Sequence, residues 1–340
     1  MAPSPGNSIR EVAREAGVSV GTVSNVLNRP HLVSASTLAR VHEAIDALGF
    51  VRNESARQLR AGSSRAVGLV VIDSANPFFA DVARGVEDTV LEHGGIVLTG
   101  NSAGDAEREA RYLDLFKEQR VRGVLIAPTG EEPALLDSLS AMGIPVVFLD
   151  RFPDRALYSS VSVDDVVGGR MAAAHLLEKG HRQLAFVGGP STLRQVRERR
   201  EGLDLELGSF EQATLLTVST PGLTFRAGRE AADELATLDL DTRPTAVLAG
   251  NDLVALGLLQ GFTAHGVRVP ADIAIVGYDD IEFAAAAAVP LSSVRQPREE
   301  LGRAGARLLY AAIEATEAGR PVDHQHVRFQ PQLVVRRSSA

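Results

Sequence analysis

The sequence predicts a small all-α head followed by an α/β body of two doubly wound parallel-sheet lobes. Three observations predict it: charge changes sign near residue 65, helix-period segments precede that point, and apolar runs alternate with helical stretches after it. The 340 residues are 45% hydrophobic and 23% charged, which excludes disordered and fibrous classes and is long enough for more than one core. Zero Cys excludes disulfide frameworks, thiolate metal sites and cysteine nucleophiles, and fits a reducing cytoplasm. The start, Met1-Ala2-Pro3-Ser4-Pro5-Gly6, has no signal-peptide pattern, and no apolar run reaches membrane-spanning length. A cytoplasmic protein without membrane partners is expected.

The net charge of −8 argues against nucleic acid only as a single number. From Met1 to Arg65 there are eight Arg and five acids, giving +3, so the remainder carries −11. A basic head therefore precedes an acidic body, and boundaries are expected at 1–50 for the head, 51–65 for a linker and 66–340 for the body.

In the head, Ile9, Val12, Ala13 and Ala16 form one apolar helix face, and Gly17 follows at a left-handed cap position. Ser19 caps a second helix, Val20 to Asn28, with Val23, Val26 and Leu27 on one side and Val20, Gly21, Ser24, Asn25 and Asn28 on the other. Ser34 caps a third helix that buries Leu38, Val41, Ile45 and Leu48 before Gly49. Two short helices across the tight turn Gly17-Val18-Ser19 make a helix-turn-helix, whose second helix suits the DNA major groove. Small polar side chains there can bond phosphates and base edges, although short amphipathic pairs also occur in structural bundles.

The wording of the segment is more specific than its periodicity. Ile9-Arg10-Glu11-Val12-Ala13-Arg14-Glu15-Ala16-Gly17-Val18-Ser19-Val20-Gly21-Thr22-Val23-Ser24-Asn25-Val26-Leu27-Asn28, with Val33-Ser34 and Thr37, closely resembles the DNA-binding signature of the LacI/GalR family of bacterial transcriptional repressors. The resemblance implies that Ser19, Thr22 and Asn28 hold phosphates, that Val20, Gly21, Ser24 and Asn25 face base edges, and that Ser34 and Thr37 belong to the same surface. Val20 and Gly21 replace side chains that often read bases by hydrogen bonding, which leaves methyl contact or close backbone approach.

Asn53 to Gly62 starts with a capping residue and ends with Gly, a length that is marginal for an isolated helix. It is either a frayed linker or, as the resemblance implies, a hinge helix that folds on DNA. Paired across a dimer, it would push Leu59 as a wedge into the minor groove, with Asn53, Ala56 and Arg57 alongside. A homodimer on a pseudo-palindromic operator is the expected partner arrangement. Only Ser338-Ser339-Ala340 follow Arg337, so a dimer without a tetramerising tail is expected.

Beyond Ala66, apolar runs recur at Val67 to Ile72, Ile96 to Thr99, Gly123 to Ala127, Pro145 to Leu149, Leu184 to Val187, Thr214 to Val218, Ala246 to Ala249 and Ile273 to Val276. Helical stretches between them include Phe79 to Glu92, Asp105 to Gln119, Val167 to Lys179 and Asp252 to His265. The pattern means parallel sheets with a ligand crevice at the strands' carboxyl ends. It resembles the periplasmic-binding-protein-like effector domain of the same family.

Residues just past strand ends are then ligand candidates: Asp73 and Phe78 of Asn76-Pro77-Phe78-Phe79, Asp150-Arg151, Asn251, Asp279 and Gln296. Carboxylates, Asn and Arg suit vicinal hydroxyls, with Phe78 as an apolar wall for a sugar or nucleoside ring. Taken singly, each Asp or Asn reads first as a cap or turn residue; repetition at strand ends, with the family resemblance, turns Asp150, Asn251 and Asp279 toward ligand contact. Arg199 aligns with a ligand-reaching arginine of the family but lies in a charge run, Arg197 to Glu201, that also suits solvent. Leu203 to Gln212 is short where a long helix and loop are expected, and Ser219 stands where an aromatic often packs on the ligand.

One enzyme reading competes. Gly100-Asn101-Ser102-Ala103-Gly104 matches the nucleophile elbow of α/β-hydrolases, with Ser102 as nucleophile and His175 or His265 as base. No H-E-x-x-H, Walker A or G-x-G-x-x-G pattern is present, and no metal, cofactor or catalytic residue is expected.

Overall fold

In a computed structural model, which describes residues 8–50, 64–130, 135–152, 157–210 and 212–340, the chain divides into two units, Met1–Ser63 and Ser64–Ala340. The first unit holds α1 (Ile9–Glu15), α2 (Val20–Asn28) and α3 (Ala35–Leu48). Each boundary has a local cause. Gly17 and Gly49 adopt φ of +62° and +57°, the left-handed region that ends helices. Ser19 accepts from the Thr22 amide at 3.0 Å, and Ser34 from the Thr37 amide at 3.4 Å. Val12, Ala13, Ala16, Val23, Val26, Val41 and Ala44 form the shared core, with Leu38, Ile45 and Leu48 half-buried around it. The expected hinge, with Asn53, Ala56, Arg57 and Leu59, lies outside the described residues.

The second unit contains two lobes. The first has β1 (Ala66–Val71), β2 (Ile96–Asn101), β3 (Val124–Ile126), β4 (Val146–Leu149), β5 (Ser159–Val163) and β11 (His326–Phe329), ordered β11-β5-β4-β3-β1-β2 and parallel throughout. The second has β6 (Gln183–Gly188), β7 (Thr214–Ser219), β8 (Ala246–Ala249), β9 (Ala274–Asp279), β10 (Ser292–Arg295) and β12 (Gln332–Val334), ordered β12-β10-β9-β8-β6-β7, with β12 antiparallel. Central strands such as Ala66–Val71 are buried at every position, as strands covered on both faces must be, whereas edge strands β2 and β7 are half exposed.

Around the first sheet lie α4 (Pro77–Glu92), α5 (Ala106–Glu118), α6 (Leu135–Ala141) and α12 (Arg298–Glu317). Around the second lie α7 (Asp165–Glu178), α8 (Arg194–Leu207), α9 (Phe225–Ala236) and α10 (Asp252–Ala264), with the short α11 (Glu282–Ala286) after β9. The chain passes between lobes three times: from β5 into α7, from β10 into α12, and from β11 into β12. The short segment after Gly202 is accommodated by ending α8 at Leu207, with Gly208 as its cap.

Three helix pairs cross at glycines. A Cβ on Gly202 would lie 2.1 Å from the Val166 carbonyl oxygen, and one on Gly169 2.1 Å from that of Arg199, so α7 and α8 touch backbone to backbone. Gly85 and Gly302 play the same part for α4 and α12, and Gly228 and Gly257 for α9 and α10. Backbone cannot rotate away as a side chain can. Gly202→Ala in the full chain is therefore expected to lower stability by about 1–3 kcal/mol, read as a reduced urea midpoint. An unchanged midpoint would show that α7 and α8 can part freely.

Candidate ligand cleft and nucleic-acid interface

Both sheets share one strand order, so the carboxyl ends of β1, β4, β8 and β9 are where a ligand crevice forms. Polar residues from both lobes meet there. From the first lobe, Asn76 caps α4, its Oδ1 accepting from the Phe78 amide at 3.0 Å, and its side chain favours the charged form of Asp279 across the cleft. From the second lobe, Gln195 donates to Asp150 Oδ2 at 3.4 Å. Asp150 (φ +56°) and Asp279 (φ +101°) both hold the left-handed conformation that non-glycine residues seldom adopt.

Arg199 is 3% exposed, so it does not belong to a solvated charge run. Its Nε donates to Asp165 Oδ1 at 2.8 Å and its Nη1 to the Gly250 carbonyl at 2.8 Å; Asp279 Oδ1 lies 3.8 Å away, and the guanidinium sits 3.8 Å above the Tyr278 ring. Gln296 Nε2 donates to Asp279 Oδ1 at 2.7 Å. Burial opposes the charge on Arg199, but Asp165 and Asp279 outweigh it and keep the guanidinium ionised. Burial pushes Asp279 up to about 6 against the pull of Arg199 and the hydrogen bonds from Gln296 and Asn76. Burial, reinforced by the charge of Asp165, lifts Asp150 well above the carboxylate range. Asp150 Oδ1 and Gln296 Oε1 are buried without a hydrogen-bond partner. Three buried acids thus gather around one guanidinium, and two of the buried side-chain oxygens have no partner. The arrangement suits a neutral ligand rich in hydroxyl donors.

The other expected ligand residues lie differently. Asn251 is fully buried but spent: its Oδ1 accepts from the Val254 amide at 2.9 Å, capping α10, and its Nδ2 donates to the Leu223 carbonyl at 3.2 Å. Asp73 accepts from the Ala75 amide at 3.0 Å within its own turn. Arg151 donates to the Gly130 carbonyl, and its charge acts on buried Glu109. Phe78 is 2% exposed and packs edge-on to Phe79, with centroids 5.0 Å apart. Sequence reasoning missed Asp165 and Gln195. Asp164 already caps α7, which leaves the adjacent Asp165 carboxylate spare, and Gln195 stands four residues before Arg199 on the same helix face.

The hydrolase reading finds no support. Ser102 is fully buried, and its Oγ donates to the Val71 carbonyl at 3.2 Å. His175 Nε2 lies 2.8 Å from Ser339 Oγ, and His265 Nε2 lies 2.9 Å from Asp233 Oδ1.

On the head, Val20, Gly21, Asn25 and Asn28 are exposed along one side of α2, with Thr22 and Ser24 half-buried beside them. Ser19 and Thr22 hydroxyls pair at 2.9 Å, Ser34 donates to Thr37 at 2.9 Å, and Asn28 donates to the Ser24 carbonyl at 2.9 Å. A Cβ on Gly21 would meet only Ser19 Oγ, at 3.6 Å, so the head's own packing does not require glycine there.

A helix-turn-helix head joined to a two-lobed body with a polar cleft defines a ligand-responsive DNA-binding regulator. Residues 8–53 match the model for bacterial regulatory proteins of the lacI family, and residues 173–339 match a periplasmic binding protein-like domain. The chain is 32% identical to the HTH-type transcriptional repressor PurR of Aliivibrio fischeri, over 97% of this chain and 98% of that protein. It is also 32% identical to the ribose operon repressor of Escherichia coli, over 98% and 99%. A LacI family transcriptional regulator from Enterococcus faecium with bound ribose superposes with TM-score 0.73 at 29% identity, covering 81% of this chain and 98% of that one. The lac repressor dimer bound to operator and an anti-inducer superposes with TM-score 0.82 at 26% identity, covering 98% and 99%. The chain belongs to the lacI family of bacterial regulatory proteins. It is a DNA-binding repressor under ligand control, and none of its described helices is long and apolar enough to cross a membrane.

Asp150→Asn keeps a residue tolerant of φ +56° and removes a carboxyl that burial disfavours in its charged form. A folded-state pKa above the unfolded value means that wild-type stability falls as pH rises from about 4, where the unfolded carboxyl ionises, through the raised folded value. The variant lacks that loss. At pH 7 without ligand it is expected to be more stable than wild type by about 1–3 kcal/mol, with the gain gone below about pH 4. Calorimetry across that range checks it; a variant less stable at pH 7 refutes the assignment.

Proposed function

We propose that the chain is a homodimeric cytoplasmic repressor whose head, residues 1–50, reads a pseudo-palindromic operator. Residues 51–65 form a hinge, and the body, 66–340, binds a neutral sugar of the ribose class. The observation that carries the ligand class is the cleft's set of buried acids: Asp150, Asp165 and Asp279 gather around Arg199, and Asp150 Oδ1 and Gln296 Oε1 have no hydrogen-bond partner. Hydroxyls both donate and accept without adding charge, whereas a phosphate's charge would be buried beside acids that already engage Arg199. Ser219 in place of an aromatic favours a sugar over a nucleoside, because a base would lack a second stacking face beside Phe78. The ribose-bound regulator and the ribose operon repressor support the same reading.

In this reading Asp150, Arg199, Asp279 and Gln296 bond the ligand directly, Phe78 walls the ring, and Asp73, Arg151 and Asn251 shape the site from its margins. On DNA, Ser19, Thr22, Asn28, Ser34 and Thr37 hold phosphates; Val20, Gly21, Ser24 and Asn25 meet base edges; and Asn53, Ala56, Arg57 and Leu59 act in the minor groove. Two heads are needed, since one buries too little surface for specific binding, and the operator-bound lac repressor dimer supports pairing.

D-ribose at a hundredfold its dissociation constant is expected to stabilise the body by about 2.7 kcal/mol, seen as a raised melting temperature, while ribose 5-phosphate gives no shift. A larger shift with the phosphate would overturn the charge argument. Full-length protein is expected to enrich pseudo-palindromic sites from random-sequence DNA, and a version lacking residues 1–62 to enrich none while keeping the ribose shift. Enrichment by the truncated chain would sink the assignment of DNA reading to the head.

A further inference from the structure

Arg298 stands in the first turn of α12, immediately after the crossing from β10, and has no part in the cleft's ligand set. Its Nε donates to Asp81 Oδ2 on α4 at 2.8 Å, while its Nη1 donates at 2.6 Å to the carbonyls of both Asp279 and Asp280. The side chain is 19% exposed and its Asp81 partner 24%, so the pair is shielded rather than a loose surface contact. Those two carbonyls belong to consecutive residues with φ of +101° and +52°, the turn that aims the Asp279 carboxylate into the cleft. Asp280 is itself pinned, accepting from Arg295 Nε at 2.7 Å and Arg336 Nη1 at 2.6 Å.

The geometry points to Arg298 as a positioning residue that transmits the state of the Asp279–Asp280 turn, in the second lobe, to helix α4 in the first. The route is short and stiff. A shift of the turn moves the two carbonyls that hold Nη1; Nε carries the displacement to Asp81; and α4 cannot slide independently of α12, because a Cβ on Gly85 or Gly302 would already sit 2.0 or 2.1 Å from the partner helix's carbonyl oxygens. The far end of α4 exposes Leu91. A ligand drawn to Asp279 thereby acts on the first lobe through α4. The inference rests on the cleft reading only in taking Asp279 as a ligand-side group.

Hydrogen–deuterium exchange on the full chain tests this without a ligand or operator in hand. Wild type, Asp279→Ala, Arg298→Met and the double variant are compared in the α4 amides 79–84, with α9 and α10 as internal reference. Asp279→Ala alone is expected to speed exchange in 79–84 by about threefold and to leave α9 and α10 unchanged. In the Arg298→Met background, the same change is expected to add nothing further. Equal effects of Asp279→Ala with and without Arg298, or no effect on α4, overturn the proposal. If either variant fails to fold, Asp279→Asn and Arg298→Lys take their places; the lysine keeps the charge beside Asp81 but cannot also reach both carbonyls, so the coupling is still expected to be lost. Failure of ribose to bind would remove the sugar reading and leave this result standing.

Discussion

One buried guanidinium organises the body. Arg199 stays charged out of water because Asp165 meets it at 2.8 Å, Asp279 lies 3.8 Å away, the Gly250 carbonyl takes a second donor and the Tyr278 ring lies beneath. Each partner arrives by a different route. Asp165 begins α7, just after the chain leaves the first lobe; Gly250 follows β8; Tyr278 and Asp279 end β9; and Arg199 itself is set by the glycine crossing of α7 and α8. A buried ion pair adds little net stability, since desolvation offsets most of the attraction. Here its effect is positional: with Arg199 fixed, the carboxylates around it have one arrangement, and the cleft acquires its hydrogen-bonding pattern before a ligand arrives.

How far the sequence could be read depended on how local each cause was. The head was fully legible because Ser19, Ser34, Gly17 and Gly49 act on helices in contact with them, and Val12, Val23 and Val41 repeat at helical spacing. Central strands rich in Val, Ile and Leu were legible for the same reason. Strands β5 and β10 were not, since Ser159–Val163 and Ser292–Arg295 look like loops. In β10 the polarity is tolerated because distant partners satisfy it: Ser293 Oγ donates to Asp252 at 2.7 Å, and Ser292 Oγ to the Arg336 carbonyl at 2.9 Å.

Asp150, Arg199, Asp279 and Gln296, singled out at strand ends and by the family resemblance, come together in the cleft. Asn251 and Asp73 look identical to them in sequence yet bond the backbone, because capping an amide and meeting a hydroxyl call for the same acceptor. Only tertiary structure separates the two uses. Asp165 and Gln195 were invisible because both lie within helices, where an acidic or amide side chain ordinarily faces solvent. The head and the cleft therefore present opposite surfaces, small exposed groups over a capped helix in one and buried ionisable groups in the other.

Both lobes of the body are closed by the last residues of the chain. Strand β11 is the outer strand of the first sheet and β12 that of the second. Beyond them Ser338 bonds Ile275 and Pro290, and the Ser339 hydroxyl lies between Ser292 and His175. The head core is made by residues 9–50. On the ribosome, then, the DNA-reading module can fold while the body is still unmade, whereas neither sheet is complete until residues 326–334 have emerged. A chain cut before residue 326 would keep a folded head attached to an unfinished body, and would be a regulator deaf to its ligand.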